Sequence, residues 1–308
     1  MAAHLIPRLL QSIAVVFVVV SLVFVGSRLI GDPIEAYAAR NATEEAIEAQ
    51  RDRLGLLDPM IVQYGNFLWG VLNLDFGDSI FSEQPAWDEV SSRMWATVQL
   101  SLAAFVLILA VGVPVGVLAA IRRGSIPDLI ARLFALVSQA MPNFWLGLVL
   151  IFIFAVQLGW LPTSGKGGFE NLILPAITLA GFGMAATMRL TRSGMLEVLS
   201  NDYIRTAQAK GLAQRTVIVR HALRNALLGL VTFLGITLAQ LLAGSIIVEV
   251  VFAWPGVGRL IFRSISLRDF PLIQVGVLLI AVWFVVINIL VDLSYNFLDP
   301  RIRVGSDA

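Results

Sequence analysis

The sequence contains no cysteine and only two histidines, His4 and His221, among its 308 residues. The absence of cysteine excludes disulfides, thiolate metal sites and cysteine nucleophiles. The two histidines lie far apart in the chain and belong to no metal-binding motif. We therefore predict that this chain holds no metal site of its own.

Charged residues are scarce as well. They make up 14% of the chain, whereas an ordinary soluble domain has about 25%. Apolar residues make up 58% of the positions. This composition is that of an integral membrane protein. We therefore expect the chain to lie in the lipid bilayer and to bind no nucleic acid.

Motifs for catalysis are missing too. The sequence has no G-x-x-x-x-G-K-[ST] phosphate loop, no H-E-x-x-H and no G-x-S-x-G, and the GKGG sequence at residues 165–168 lacks the phosphate-loop spacing. No charged residue falls at the centre of an apolar segment, where proton-coupled carriers usually have one. We predict a chain without catalytic residues, so that any ATP driving its work is hydrolysed on another chain.

Six apolar segments are long enough to cross a bilayer, which requires about 20 residues. They are residues 9–30, 96–121, 129–158, 172–190, 227–252 and 272–298. The first exceeds the apolar core of a signal peptide, about 7–15 residues, and no A-x-A-type cleavage site follows it. The sequence thus predicts an all-α membrane protein with six transmembrane helices, the first of them uncleaved.

The polar stretch between the first two spans predicts a small helical external subdomain on the membrane surface. Asn41 can cap a short helix that Gly55 ends, and Pro59 can start a second helix. The predicted organisation is an N-terminal transmembrane helix (residues 1–31), the external subdomain (32–93), a five-helix core (94–300) with a cytoplasmic loop (193–226), and a cytoplasmic tail (301–308).

The charge distribution predicts the orientation. With a cytoplasmic N-terminus, most of the 22 Lys and Arg residues fall in short inside segments, and most of the 21 Asp and Glu residues fall outside. That is the positive-inside pattern. Both termini and the basic loop are therefore predicted to be cytoplasmic.

Small residues and prolines interrupt the spans. Gly112, Gly116 and Ala120 form a small-x-x-x-small ridge, which lets helices approach closely in lipid; it either packs internally or forms a gating seam. Pro142 and the prolines at 114 and 175 each remove a helical hydrogen bond, so we expect kinks there.

Residues 195–227 form the longest polar, basic stretch of the second two-thirds of the chain. Apolar positions recur at three-to-four-residue spacing on both sides of Gly211, which predicts two short amphipathic helices meeting at this glycine. Such a pair on the basic side of a membrane is typical of a docking surface. The alternative is a basic surface helix held by anionic lipid, which leaves the glycine break unexplained.

Glu249 lies near the outer end of the fifth span, shortly before Trp254 and Pro255. Acids within membrane segments are often functional. One interpretation is that these three residues line a pathway or contact an external partner. The alternative is that Glu249 has no such role and only extends its carboxylate to the membrane interface.

The basic segment resembles the EAA loop of ATP-binding-cassette (ABC) importer permeases, in the subgroup that carries dipeptides, oligopeptides, nickel or glutathione. The likeness rests on DYIRTAQAKGL at 202–212 and RHALRNAL at 220–227. It extends to LPTSG at 161–165, LPA at 174–176, EVVFAWPG at 249–256, DPRIR at 299–303, GDP at 31–33 and GLLDP at 55–59, and so covers almost the whole chain. Arg205 and Thr206 replace the Glu and Ala of the general EAA consensus, and Asp202 lies on the same helical face as Arg205.

The resemblance implies a six-helix fold of the type I ABC importer kind in the bacterial cytoplasmic (inner) membrane. It implies a paralogous permease as heterodimer partner, two ABC ATPase subunits that bind ATP and Mg²⁺, and an extracytoplasmic solute-binding protein. The residues expected to couple to the ATPase are Asp202, Tyr203, Arg205, Thr206, Ala207, Ala209, Lys210 and Gly211.

The substrate implied is a di- or oligopeptide. Nickel, glutathione or an oligosaccharide are the alternatives within the same architecture. From another class of function, a stand-alone secondary carrier is the rival interpretation, because it too would be an apolar helical protein without catalytic groups.

Overall fold

The computed structural model describes residues 2–30, 34, 43–53 and 55–298. Within these residues the regular structure is helical, apart from one isolated bridge between Asp78 and Pro85, which confirms the predicted all-α class. In chain order the helices are α1 (Ala2–Ile30), α2 (Glu44–Arg53), α3 (Met60–Asn73), α4 (Ala86–Leu107), α5 (Val113–Ile121), α6 (Ile126–Ala140), α7 (Asn143–Leu150), α8 (Glu170–Leu199), α9 (Asp202–Ala209), α10 (Gln214–Thr216), α11 (Arg224–Val251), α12 (Val257–Leu267) and α13 (Phe270–Leu298).

Three π-helical stretches among the described residues each continue directly from a preceding helix. They are Ile108–Gly112 between α4 and α5, Ile151–Gln157 after α7, and Val217–Leu223 between α10 and α11. The chain packs as two compact units, one made of Met1–Thr97 with Pro255–Val285 and the other of Val98–Trp254 with Val286–Ala308.

In the first unit, α12 supplies an apolar stripe. Val257, Leu260, Ile261 and Ser264 are buried, at the three-to-four-residue spacing of one helical face. The three apolar side chains of this set pack with Ala86 and Val90 of α4 and with the first turns of α13. Burial of each large apolar side chain of this cluster contributes about 1.5–3 kcal/mol.

Helix α3 rests on α1 through aromatic contacts. The ring of Phe24 lies 5.2 Å from that of Tyr64 and 5.5 Å from that of Phe67, measured between centroids. The hydroxyl groups of Ser21 and Tyr64 are 2.6 Å apart. The other face of α3 is exposed, with Trp69 at its centre.

In the second unit, α8 is the most buried of the long helices. Small residues let its neighbours approach it. A Cβ atom added to Gly112 would lie 3.1 Å from the carbonyl oxygen of Met184, and one added to Gly116 would lie 2.6 Å from that of Met188. These distances agree with the packing interpretation of the small-residue ridge.

Four helical segments in the described part of the chain are long and apolar enough to cross a membrane: Leu10–Leu29, Ala86–Ile121, Glu170–Leu199 and Phe270–Val291. Two bent pairs, Ile126–Ala140 with Asn143–Gln157 and Gln214–Leu227 with Gly229–Ala243, raise the number to six if each pair is one span.

The third predicted span is not one straight helix. Its two halves meet at 110°, with Met141 in an extended conformation (φ −89°, ψ 130°) directly before Pro142. Proline lacks a backbone donor and disfavours the helical region for the residue before it, which explains the break. Pro175 lies inside the uninterrupted α8 instead, so the kink expected there stays a prediction.

The predicted domain boundaries describe the side of the membrane on which a segment lies, whereas the two units describe packing. Those boundaries therefore stay predictions. The predicted tail, residues 301–308, lies outside the described residues.

Candidate functional site

The predicted cytoplasmic loop folds as a short helix between two long ones. Helix α8 ends at Leu199, and Asn201 turns the chain in an extended conformation (φ −75°, ψ 147°) before α9 begins at Asp202. Eight residues later α9 ends, and the chain runs through α10 and a π-helical stretch into α11. The helix–glycine–helix pattern expected from the sequence is present.

One side of α9 is buried. Ile204 and Ala207 are nearly inaccessible and pack against Met195 of α8 and against Val217 and Ala222 of the following stretch. Ala207, which the sequence placed among the ATPase-coupling residues, thus lies on the side that seats α9 on the chain's own core.

The opposite side of α9 is exposed. It presents most of the remaining coupling residues predicted from the sequence, namely Asp202, Tyr203, Arg205, Thr206, Ala209 and Lys210. Arg205 Nη1 lies 3.5 Å from Asp202 Oδ1, and both side chains are largely solvent-accessible, so this ion pair contributes little to stability. Its charges stay available to a partner.

Gly211 ends α9 in the left-handed region, with φ of +74°. Its backbone N–H donates to the carbonyl of Gln208 at 2.9 Å, which satisfies one of the free carbonyls at the helix end. A side chain in this conformation would be strained. The sequence therefore needs glycine at this turn.

Tyr203 connects α9 to the start of α11. Asn225 Nδ2 donates to the Tyr203 hydroxyl at 3.1 Å and to the carbonyl of His221 at 2.7 Å. A movement of α9 is thus linked by hydrogen bonds to the long helix that follows it.

A buried ion pair that sequence reasoning missed lies in the same unit. Arg192 Nε donates to Asp128 Oδ1 at 2.6 Å, and Arg192 Nη2 donates to Asp128 Oδ2 at 3.1 Å. The Gly124 N–H donates to the same carboxylate at 3.0 Å. The available signal was Asp128 itself, an isolated acid in a connection that is otherwise basic.

The second predicted set, Glu249, Trp254 and Pro255, is largely enclosed within this single chain. Glu249 and Trp254 are buried, and Ser245 Oγ donates to Glu249 Oε1 at 2.9 Å. Lys166 Nζ lies 5.9 Å from the centre of the Trp254 ring. Pro255 is half-buried. Their role in a pathway or an external contact stays a prediction.

The second unit also contains a cavity of about 360 Å³. It lies where α6 and α7 meet at Pro142, beside the middle of α8 and one face of α11. Its lining is uncharged, and its polar side chains are Asn143, Thr237 and Gln240.

No group of three or more His, Cys, Asp or Glu side chains that could hold a metal ion occurs in the described part of the chain. The described helices include none with a phosphate-loop sequence. The described residues thus provide a short helix exposed on one side and an uncharged cavity.

Comparisons with known proteins agree with this arrangement. The family model for the "Binding-protein-dependent transport system inner membrane component" matches residues 112–304, and the model for the N-terminal domain of such membrane components matches residues 1–103. The glutathione transport system permease protein GsiC of Escherichia coli strain K12 is 40% identical over 304 residues, which cover 98% of this chain and 99% of that protein. The protein of the same name from Salmonella choleraesuis strain SC-B67 shows the same identity and coverage.

Solved structures show the same fold. The MetNI methionine ABC transporter in an inward-facing conformation matches with a TM-score of 0.56 and 22% identity, over 68% of this chain and 96% of that chain. An amino acid ABC transporter with histidines matches with a TM-score of 0.52 and 18% identity. The predicted helical fold of the type I ABC importer kind is thereby confirmed.

Proposed function

The chain belongs to the family of binding-protein-dependent transport system inner membrane components, the permease subunits of ABC importers, and from this premise we propose that it imports short peptides. It is a multi-pass inner membrane protein without an ATPase domain of its own. Such an importer works with ATPase and solute-binding partners.

The observation that carries the coupling proposal is that one side of α9 is buried and the other side is exposed. Ile204 and Ala207 seat the helix on the permease, while Arg205 and Lys210 face outward. In this proposal the exposed side docks into a groove of a cytoplasmic ATPase subunit, which binds ATP and Mg²⁺. Closure of two such subunits pulls α9 and, through the Tyr203–Asn225 hydrogen bond, the start of α11, so that the spans rock between two states.

The rest of the assembly is proposed from the family resemblance. A paralogous permease completes the translocation path, two ATPase subunits bind beneath the pair, and a solute-binding protein delivers substrate from outside. Both termini lie in the cytoplasm, as the excess of Lys and Arg in the short inside segments supports.

Two observations support short peptides as the substrate class. Relatives at 40% identity are glutathione permeases, and glutathione is itself a tripeptide. The cavity lining contains uncharged polar groups and no His, Asp or Glu, whereas nickel would favour such ligands. Glutathione is therefore the first peptide to test.

The test begins with affinity purification of the tagged chain from its native membrane and identification of every copurifying protein. We expect a second permease, ATPase subunits with phosphate loops, and a solute-binding protein. The purified assembly, reconstituted with ATP, should take up radiolabelled glutathione or a neutral tripeptide.

Two results would contradict the proposal. Recovery of the chain alone, with uptake driven by an ion gradient, would identify a secondary carrier. If the ATP-driven assembly takes up nickel or an oligosaccharide and no peptide, the chain is still a permease subunit, but the proposed peptide substrate is wrong.

A further inference from the structure

Resting on the proposed peptide import, we infer that the cavity of the second unit is a substrate-contact site of the translocation path, where the side-chain amides of Asn143 and Gln240 hydrogen-bond the peptide group of the substrate. The cavity measures about 360 Å³, near the lower end of typical ligand sites, about 300–1,000 Å³. It is large enough for one small molecule at a time.

The position of the cavity follows from the break in the third span. Pro142 separates α6 from α7 at 110°, and Asn143 begins α7 directly after it. Phe182 of α8 and Phe233 of α11 supply apolar walls. A non-helical step within an apolar segment is tolerated where it lines a cavity in the protein.

The two amides have hydrogen-bonding groups to spare. Among the described residues, neither Asn143 nor Gln240 forms a hydrogen bond through its side chain. The third polar group differs, since Thr237 Oγ1 donates to the carbonyl of Phe233 at 2.7 Å. Each free amide offers one carbonyl acceptor and two N–H donors.

A peptide group carries the complementary pair, one C=O and one N–H. Gln240 is exposed and Asn143 is half-buried in this chain, so both amides are accessible to a peptide group. Because water hydrogen-bonds accessible amides as well, exchange of water for a peptide group changes the free energy little. Binding is therefore weak enough for release, which conduction requires.

The absence of charge in the lining sets the selectivity. A fixed carboxylate or ammonium group here would attract one class of side chain and repel the other. The polar groups of the lining are Asn143, Thr237 and Gln240. The cavity therefore hydrogen-bonds the peptide backbone and accepts substrate side chains of either charge.

Charge substitutions at Gln240 test this reading in the complete reconstituted importer. The probes are two tripeptides of equal length, Ala-Lys-Ala and Ala-Glu-Ala, and the readout is the ratio of their uptake rates. We expect Gln240→Glu to raise the Lys-to-Glu ratio by about fivefold and Gln240→Lys to lower it by about as much, since a preference near 1 kcal/mol has that effect.

The matched control is Gln157, which is exposed at the end of a π-helical stretch and does not line the cavity. The same two substitutions there should leave the ratio at the wild-type value. Equal loss of both probes in the two Gln240 variants, or an unchanged ratio, would show that Gln240 has no contact with substrate and would overturn the inference.

A second measurement does not depend on the substrate. Because the chain has no cysteine, Gln240→Cys introduces a single thiol, whose reaction with a charged, water-soluble methanethiosulfonate reagent is detected as a mass shift of this chain. We expect labelling that changes when the ATPase subunits are trapped with ATP and vanadate. Leu22→Cys, at an exposed apolar position of α1, should stay unlabelled because lipid covers it.

The outcomes separate the two proposals. If Gln240→Cys is labelled in an importer that takes up no peptide, the cavity is part of a water-filled path, but the proposal of a peptide substrate is wrong. Normal peptide uptake without labelling in either nucleotide state would retain the proposed function and overturn the cavity site.

Discussion

Arg192 holds the fully buried carboxylate of Asp128 with two hydrogen bonds, although the two residues lie 64 positions apart in the chain. The pair joins the first turn of α6 to the C-terminal part of α8. Because α9 follows α8 after a short turn, this pair fixes the end of the helix from which α9 continues.

Removal of Arg192 should destabilise the protein strongly. Arg192→Ala leaves the carboxylate of Asp128 buried without its bidentate partner, which costs about 3–5 kcal/mol. Thermal unfolding in detergent measures the loss. The control is Arg132→Ala, because Arg132 is half exposed and reaches Asp128 only at 3.5 Å, an interaction worth about 0–1 kcal/mol. Equal effects of the two substitutions would contradict the assigned role.

A methyl group at Gly116 should disrupt the packing of α5 on α8. The added Cβ would meet the carbonyl oxygen of Met188 at 2.6 Å and the Cβ of Thr191 at 2.7 Å, so backbone has to move. We expect Gly116→Ala to cost about 1–3 kcal/mol and to lower the yield of folded protein. Gly229→Ala, at a helical glycine with nothing within 4 Å, should be neutral or stabilising. A wild-type melting temperature for Gly116→Ala would refute the close contact.

A valine at Gly211 should uncouple ATP hydrolysis from uptake. No atom lies within 4 Å of the position that a Cβ would take, so the penalty is conformational, about 1–3 kcal/mol for a non-glycine residue at this positive φ. The turn then reorients α9. The measurement is the ratio of substrate uptake to ATP hydrolysed in the reconstituted importer.

Gly211→Asn is the control for that experiment, because asparagine tolerates the left-handed conformation better than a β-branched residue. It should retain most of the coupling. If Gly211→Val transports with the wild-type ratio, the geometry of this turn does not matter for coupling.

Ser79→Ala should destabilise the protein more at neutral pH than in acid. Ser79 Oγ donates to Asp269 Oδ2 at 2.6 Å across 190 residues, and both side chains are buried. Burial raises the pKa of the Asp269 carboxyl above its ordinary value, and the hydrogen bond from Ser79 lowers it in part. A group with a raised folded-state pKa contributes its full stability below the unfolded-state pKa and loses it as pH rises through the folded-state value.

Without the Ser79 hydroxyl the pKa of Asp269 rises further, so the penalty is greatest where the carboxylate is charged. We expect a loss of about 1–3 kcal/mol at pH 7 and a smaller loss below about pH 4, measured by thermal unfolding at both pH values. Ser82→Ala removes a similar bond from Ser82 Oγ to Glu89 Oε2 (2.7 Å) at an exposed site and should cost less than about 0.5 kcal/mol. Equal losses at the two pH values would contradict the account.

Local sequence chemistry predicted much of the first unit correctly. Gly55 was expected to end a helix, and it follows α2 in a left-handed conformation (φ +63°). Pro59 was expected to start the next helix, and α3 begins directly after it. The predicted cap at Asn41 lies outside the described residues. Such features depend on a few neighbouring residues, so the sequence is enough to find them.

The candidate site was predictable to the same extent. The basic segment, the glycine break and the exposure of Arg205 and Lys210 follow from periodicity and composition. The burial of Ala207 agrees with its place in the apolar repeat before Gly211. Its inclusion among the ATPase-coupling residues did not anticipate this burial, because only the folded chain places Met195 beneath it.

By itself, therefore, the sequence determined that this chain is a helical membrane protein and that a glycine divides its basic loop. The predicted spans overlap the long helices but miss some of their ends, since α4 begins at Ala86 and α8 ends at Leu199, whereas the second span was predicted to begin at residue 96 and the fourth to end at residue 190. Hydropathy and helical periodicity act over short stretches of chain. Only the tertiary structure decided that Asp128 meets Arg192, that Ser79 meets Asp269, and that Asn143 and Gln240 share a cavity. Each of these pairs is far apart in sequence, and their proximity results from how the helices pack.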